Sequence, residues 1–272
     1  MTDEQHPPTP LPAEDGADDA RPGSAAPARQ PAINAPWIIL ALIAVFVAVQ
    51  IVRETVDTRT DYHLLLDLAF LPLRYSMPPE LANAQLPGGI WPAVFSPFTH
   101  FFLHAGWMHL TVNSLWLLAF GAPVARRLGP WRFLMLALLS AAGGAVFYLF
   151  FHWGEPALLI GASGGVSGLM GAAIRLIFAG NMHLAEGMRR DLSRVRPLSI
   201  PETFLYARPR MFIIIWMGIN LIFGLTGIGV SGDFGAIAWE AHTGGFLTGL
   251  FALGFFDRNG KIPRRGLEND VS

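Results

Sequence analysis

The sequence predicts an all-α, polytopic bundle of six membrane-spanning helices, and three features carry that expectation. Of 272 residues, 52% are hydrophobic and only 14% charged, where soluble domains run near ~25% charged. Apolar segments recur at about 36–52, 106–124, 131–151, 161–179, 211–229 and 235–255, each close to the ~20 residues that cross a hydrocarbon core. If the N-terminus is inside, all of the 19 Lys and Arg fall on the inner side except Arg53, Arg59 and Arg74. That bias sets both termini in the cytoplasm.

Residues 1–34 are rich in Pro, Ala, Asp and Gln and hold no hydrophobic run, so they read as a disordered cytoplasmic tail. Their acidic start lacks the basic lead of a secretory signal. A membrane domain over 35–257 follows, then a second cytoplasmic tail over 258–272. The first outer loop, about 53–105, is too apolar for a solvated connector in its Tyr62–Leu73 and Trp91–Phe102 runs. It is expected to lie partly in the membrane interface. The stretch 180–210, with Glu186 and Asp191 among its arginines, is expected to form a short helix on the inner surface. Gly143-Gly144 in the third segment, and Gly218, Asn220 and Gly224 in the fifth, are interruptions tolerated among packed helices. The absence of cysteine excludes disulfides, thiol catalysis and thiolate metal sites. A net charge near zero argues against nucleic acid as a partner.

Polar residues inside the spans carry the chemistry. His109 and Asn113 fall in the second segment, Ser163 in the fourth and His242 in the sixth. These three segments run the same way, and each residue lies within about two turns of its outer end, at ~1.5 Å rise per residue. All four therefore share one depth, and polar groups at membrane depth face one another or a wet cavity. Each also has a packing alternative: small-xxx-small contacts for the Gly161–Gly171 stretch, interhelical hydrogen bonds for the histidines and Asn113.

A serine opening a helix sits beside free backbone N–H groups at the positive end of the helix dipole. Its hydroxyl needs a base, and His242 is the candidate. Glu240 lies ~200° round the helix from His242 and is expected to cap that helix rather than orient the ring. The expectation is a Ser163–His242 dyad. His109, Asn113 and the Ser163 backbone N–H would stabilise the oxyanion.

Gly161-Ala162-Ser163-Gly164, with His109-x-x-x-Asn113 upstream and Ala241-His242-x-x-Gly245 downstream, resembles a rhomboid intramembrane serine protease. The likeness spans roughly 36–257 and includes the His104–His109 run and Arg127-Leu128-Gly129. It implies a serine endopeptidase, needing no cofactor or metal, that cuts transmembrane segments of other membrane proteins. It implies entry between the second and fifth spans, with Trp116, Phe212 and Trp216 at the gate positions. No eukaryotic targeting signal is evident in the sequence, so a bacterial inner membrane is the expected home. Ser167 stands where many rhomboids carry an aromatic residue that supports the histidine, Phe95-Ser96 where a Trp-Arg pair is common, and Ala125-Arg126 where a Glu is frequent.

Three rival readings are weaker. His100 and His104 have the spacing of a zinc pair, but no Glu follows the first as in His-Glu-x-x-His, so packing fits them better. A transporter would show internal repeats and midplane charges. A non-catalytic rhomboid-like scaffold holding client helices would be expected to lack the nucleophile or the base.

Overall fold

The computed structural model describes residues 35–179, 183–189, 192, 195–226 and 238–258. The two terminal tails, apart from Arg258, lie outside the described residues. So do Asp233 and the outer connection between the fifth and sixth segments.

Helix α1, Trp37–Thr55, starts behind Pro36 and is apolar up to Val49, burying Ile38, Ile39, Leu42 and Phe46 on one face. The outer segment then folds back through α2 (Thr58–Leu68), α3 (Leu73–Ser76), α4 (Pro79–Gln85) and α5 (Trp91–Thr99), ending in a 3-10 turn at His100–Phe102. Asp57 caps α2 by accepting from the Arg59 and Thr60 N–H groups. Buried Arg74 ties the segment together, donating to the carbonyls of Leu66, Pro87 and Gly89. Arg53 grips Asp61 through two nitrogens and donates to the His104 carbonyl at 2.6 Å. Trp91, Val94, Phe95 and Phe98 remain exposed along α5.

The next helix runs unbroken from Trp107 to Leu128 as α6 (Trp107–Trp116), a π-helical turn (Leu117–Gly121) and α7 (Ala122–Leu128). Gly129, at φ +76°, turns the chain into α8 (Pro130–Phe151), and α9 follows as Ser163–Ile177. After α9 come the short helices α10 (Leu184–Arg189) and α11 (Ile200–Leu205), then α12 (Ala207–Thr226) and α13 (Trp239–Phe256). Where one short helix is expected in 180–210 there are two; α11 opens with a Ser199/Glu202 capping box.

Among the described residues there is no strand, only an isolated antiparallel bridge between Phe70 and Leu159. Four helical runs are long and apolar enough to cross a membrane: α1, Trp107–Leu128, α8 and α12. Helix α9 is apolar but shorter, 15 residues, hence about 22 Å against ~30 Å of hydrocarbon.

Helix α9 is the centre of the bundle. Every residue from Gly164 to Ile177 is buried. Its glycines form a seam with α13 in which backbone meets backbone. A β-carbon on Gly245 would strike the Gly164 carbonyl, and one on Gly249 the Gly168 carbonyl. Gly171 faces Phe246 and Leu250 in the same way. Contacts rise together along both chains, so α9 and α13 are parallel. Helix α8 closes the third side: Gly144 lies against the Ala241 carbonyl and Gly244 against Phe147. With no hydrophobic drive between helices in lipid, such close packing is what holds them.

Two arginines counted above as inner-surface charges are structural. Arg127 forms a buried pair with Asp257 at 2.9 Å and donates to the Leu192 carbonyl. Arg175 donates to the carbonyls of Leu198 and Leu250.

Candidate active site

The site lies where α6, α9 and α13 begin. Ser163 is the first residue of α9, His109 the third of α6, and His242 the fourth of α13. In the parallel α9/α13 pair, Gly164 packs on the carbonyl of Ala241 at 3.4 Å from its β-position. The residue after Ser163 thus meets the residue before His242, which puts both side chains at one level.

Gly161 organises the serine side. Its N–H donates to the His100 carbonyl at 3.0 Å, pinning the loop before α9 to the outer segment. Its φ of +123° favours glycine, and a β-carbon there would lie 2.9 Å from His109 Nε2 and 3.6 Å from Ser163 Oγ. Only glycine lets the His109 ring and the Ser163 hydroxyl close over this spot. The Ala105 N–H donates to His109 Nδ1 at 3.3 Å. That leaves Nε2 as the protonated, donating nitrogen, turned toward Gly161.

Asn113, one turn further along α6, is buried, and its Nδ2 has no hydrogen-bond partner among the described residues. A buried amide left without a partner is costly. It suits a group whose acceptor arrives only with a substrate.

His242 is held in a way the sequence reading missed. Its Nδ1 contacts Asn220 Oδ1 of α12 at 2.7 Å. Asn220 had been read only as an interruption in an apolar segment; no local signal links residues 22 positions apart on different helices. Glu240 lies in the first turn of α13, where its charge complements the helix dipole. Its Oε1 also meets His152 Nε2 at 3.2 Å, and His152 pairs with Glu155 at 2.7 Å. That contact across to the end of α8 had no signal in the sequence.

His100 and His104 pack rather than gather ligands. His100 Nδ1 donates to the Ser96 carbonyl at 2.9 Å. The buried His104 ring sits between Phe46 and His109, at 5.0 and 5.3 Å between centroids. Burial pushes His100 down to about 4 and His104 to about 3, the latter helped by neighbouring His109, so both rings are neutral near pH 7. Among the described residues no three His, Asp or Glu side chains converge as a metal site would need.

Comparison with known proteins decides the family. A sequence model of the Rhomboid domain matches residues 92–259, a stretch holding all four polar residues and most of the bundle. The chain belongs to the rhomboid family.

Three curated relatives are similar to this rhomboid. It is 27% identical over 238 residues to RHOMBOID-like protein 6, mitochondrial, of Arabidopsis thaliana, covering 81% of the chain and 67% of that relative. It is 26% identical over 159 residues to rhomboid protease GlpG of Serratia proteamaculans, covering 58% of the chain and 46% of GlpG. The GlpG of Yersinia pestis is 28% identical over 160 residues. This rhomboid therefore spans under half the length of the GlpG proteins it matches.

The three gate candidates fall in two aromatic groups. Trp116 stacks on Phe120 at 5.6 Å, and Phe120 meets Phe212 at 5.9 Å. Phe120 belongs to the π turn and was not singled out in the sequence. This short aromatic chain joins α6 to α12. Trp216, one turn further along α12, stacks on Phe246 of α13 at 5.0 Å.

Proposed function

We propose that this rhomboid is an intramembrane serine endopeptidase, cleaving transmembrane segments of other membrane proteins with a Ser163–His242 dyad. What supports the reading most is the convergence at Gly161: His109 Nε2 and Ser163 Oγ flank one small space. The unpartnered Asn113 amide lies one turn away. In the proposed frame α1, Trp107–Leu128, α8, α9, α12 and α13 are six spans of a membrane domain over 35–257, with both termini cytoplasmic. A bacterial inner membrane is the proposed location.

In the proposed mechanism Ser163 Oγ attacks a peptide carbonyl carbon as its proton passes to His242 Nε2. The oxygen of the tetrahedral intermediate takes its negative charge among His109 Nε2–H, Asn113 Nδ2 and the Ser163 backbone N–H, at the positive end of α9. The C–N bond breaks, and His242 gives its proton to the leaving amine. Water then attacks the acyl-enzyme with His242 as base, releasing a carboxylate and restoring the serine. The chemistry calls for no cofactor. Helical peptide hides its carbonyls in hydrogen bonds, so a substrate has to unwind locally before attack. Entry is proposed between α6 and α12, past Trp116, Phe212 and Trp216.

The test uses purified full-length protein in proteoliposomes, with a model transmembrane substrate and a fluorophosphonate probe. Wild-type protein is expected to cleave and to label. Ser163→Ala should do neither while keeping its thermal midpoint, and His242→Ala should lose a comparable amount. Cleavage by Ser163→Ala at the wild-type rate would sink the assignment. Substrate binding without cleavage by wild type would favour a scaffold instead.

A further inference from the structure

We propose that Asn220 is a positioning residue for the reaction: it orients the His242 ring and fixes which nitrogen carries the proton. This rests on the proteolytic reading for its consequence in catalysis, but not for its geometry. Asn220 is buried on α12, and its two amide ends have separate duties. Nδ2 donates to the Trp216 carbonyl at 3.1 Å within the same helix, while Oδ1 faces His242 Nδ1 at 2.7 Å. That pairing settles the orientation of the amide. Reversed, it would set Oδ1 against the Trp216 carbonyl, oxygen on oxygen. With Oδ1 toward the ring, Nδ1 must be the N–H, which leaves the lone pair on Nε2. A base acting on Ser163 needs that tautomer.

The setting supports the role. Trp216, Asn220 and Gly224 are spaced four apart and form one stripe of α12. Trp216 stacks on Phe246, and Gly224 leaves room for Trp239, where a β-carbon would come within 2.5 Å. The stripe therefore holds α12 to α13 both above and below the Asn220–His242 contact, fixing its register. Ser167, buried on α9, offers no ring on which His242 could stack. The hydrogen bond from α12 takes up the orienting task, so the dyad becomes a triad with a neutral third member.

The test compares Asn220→Leu, which keeps the volume and removes the acceptor, with Asn220→Asp, which keeps the acceptor. On ¹⁵N-histidine-labelled protein, with His242 assigned by difference from His242→Gln, the wild type should show the Nδ1–H tautomer. Asn220→Leu should lose it and Asn220→Asp should retain it. In cleavage assays Asn220→Leu should lower kcat on the order of 100-fold with KM little changed, and Asn220→Asp should recover most of that loss. An unchanged His242 tautomer in Asn220→Leu overturns the proposal, as does wild-type kcat in that variant. If the tautomer shifts as expected but wild-type protein cleaves nothing, the geometry stands and the proteolytic reading falls.

Discussion

Replacing Gly249 by alanine tests whether the glycine seam sets the alignment of the site. The new β-carbon would fall inside the contact distance of the Gly168 carbonyl, whereas carbon and oxygen normally approach to ~3.3 Å. Alanine gains about 1 kcal/mol of helix propensity over glycine. Overpacking costs about 1–3 kcal/mol, and here the obstacle is backbone, which has no rotamer to yield. The clash therefore wins, and α9 and α13 have to part by on the order of 1 Å, a displacement that can cost ~100-fold in rate when it reaches reacting groups. Gly254, on the same helix, has nothing within 4 Å of its β-position and is the matched control. Cleavage of a transmembrane substrate in proteoliposomes and thermal midpoints in detergent would be measured on both variants. Gly249→Ala should lose about 10- to 100-fold in kcat and unfold earlier, while Gly254→Ala should match or exceed wild type in stability. Equal behaviour of the two variants would refute the claim that the seam sets the alignment.

Acid should destabilise the fold through the outer segment. An unfolded histidine takes up a proton below about 6.5, but folded His100 and His104 resist until about 4 and about 3. The unfolded state therefore binds more protons within that window, so stability is complete above it and falls as pH drops through it. The loss is about 2 kcal/mol per histidine at a pH of about 5. The His104 ring is buried against Phe46 and His109, a place a phenyl ring can fill, so His104→Phe should fold and flatten the acid decline of the thermal midpoint. An identical pH dependence would exclude His104 as a cause. Arg127→Met breaks the buried pair with Asp257, whose side chain is 3% exposed, and should cost about 3–5 kcal/mol in denaturant unfolding. Adding Asp257→Leu should restore most of it; a single-variant loss below about 1 kcal/mol would count against the pair.

What could be read in the sequence was local. The apolar run lengths located the helices, and Gly161 through Gly164 and His109 through Asn113 are short patterns whose geometry depends on one helix start each. Contacts set by how one helix is rotated against another were not legible. Asn220 reaches His242 only because the α12 stripe turns toward α13. Glu240 finds His152 across a helix pair, at a distance that helix periodicity cannot supply. Phe120 links Trp116 to Phe212 from within a π turn, and nothing in Leu117–Gly121 announces that turn. The short length of α9 was hidden for a related reason: the apolar run continues past both ends of the helix, through residues that form the flanking loops.

Helix α12 has only 11% of its apolar window buried within the protein, the smallest share among the four long apolar runs. Most of its flank is therefore left to acyl chains, and those are as apolar as the leucines of any visiting helix. Trading one for the other changes the solvation of α12 little. Greasiness alone gives such a boundary nothing with which to tell one visitor from the next, so discrimination has to come from shape and from the few polar groups beyond it.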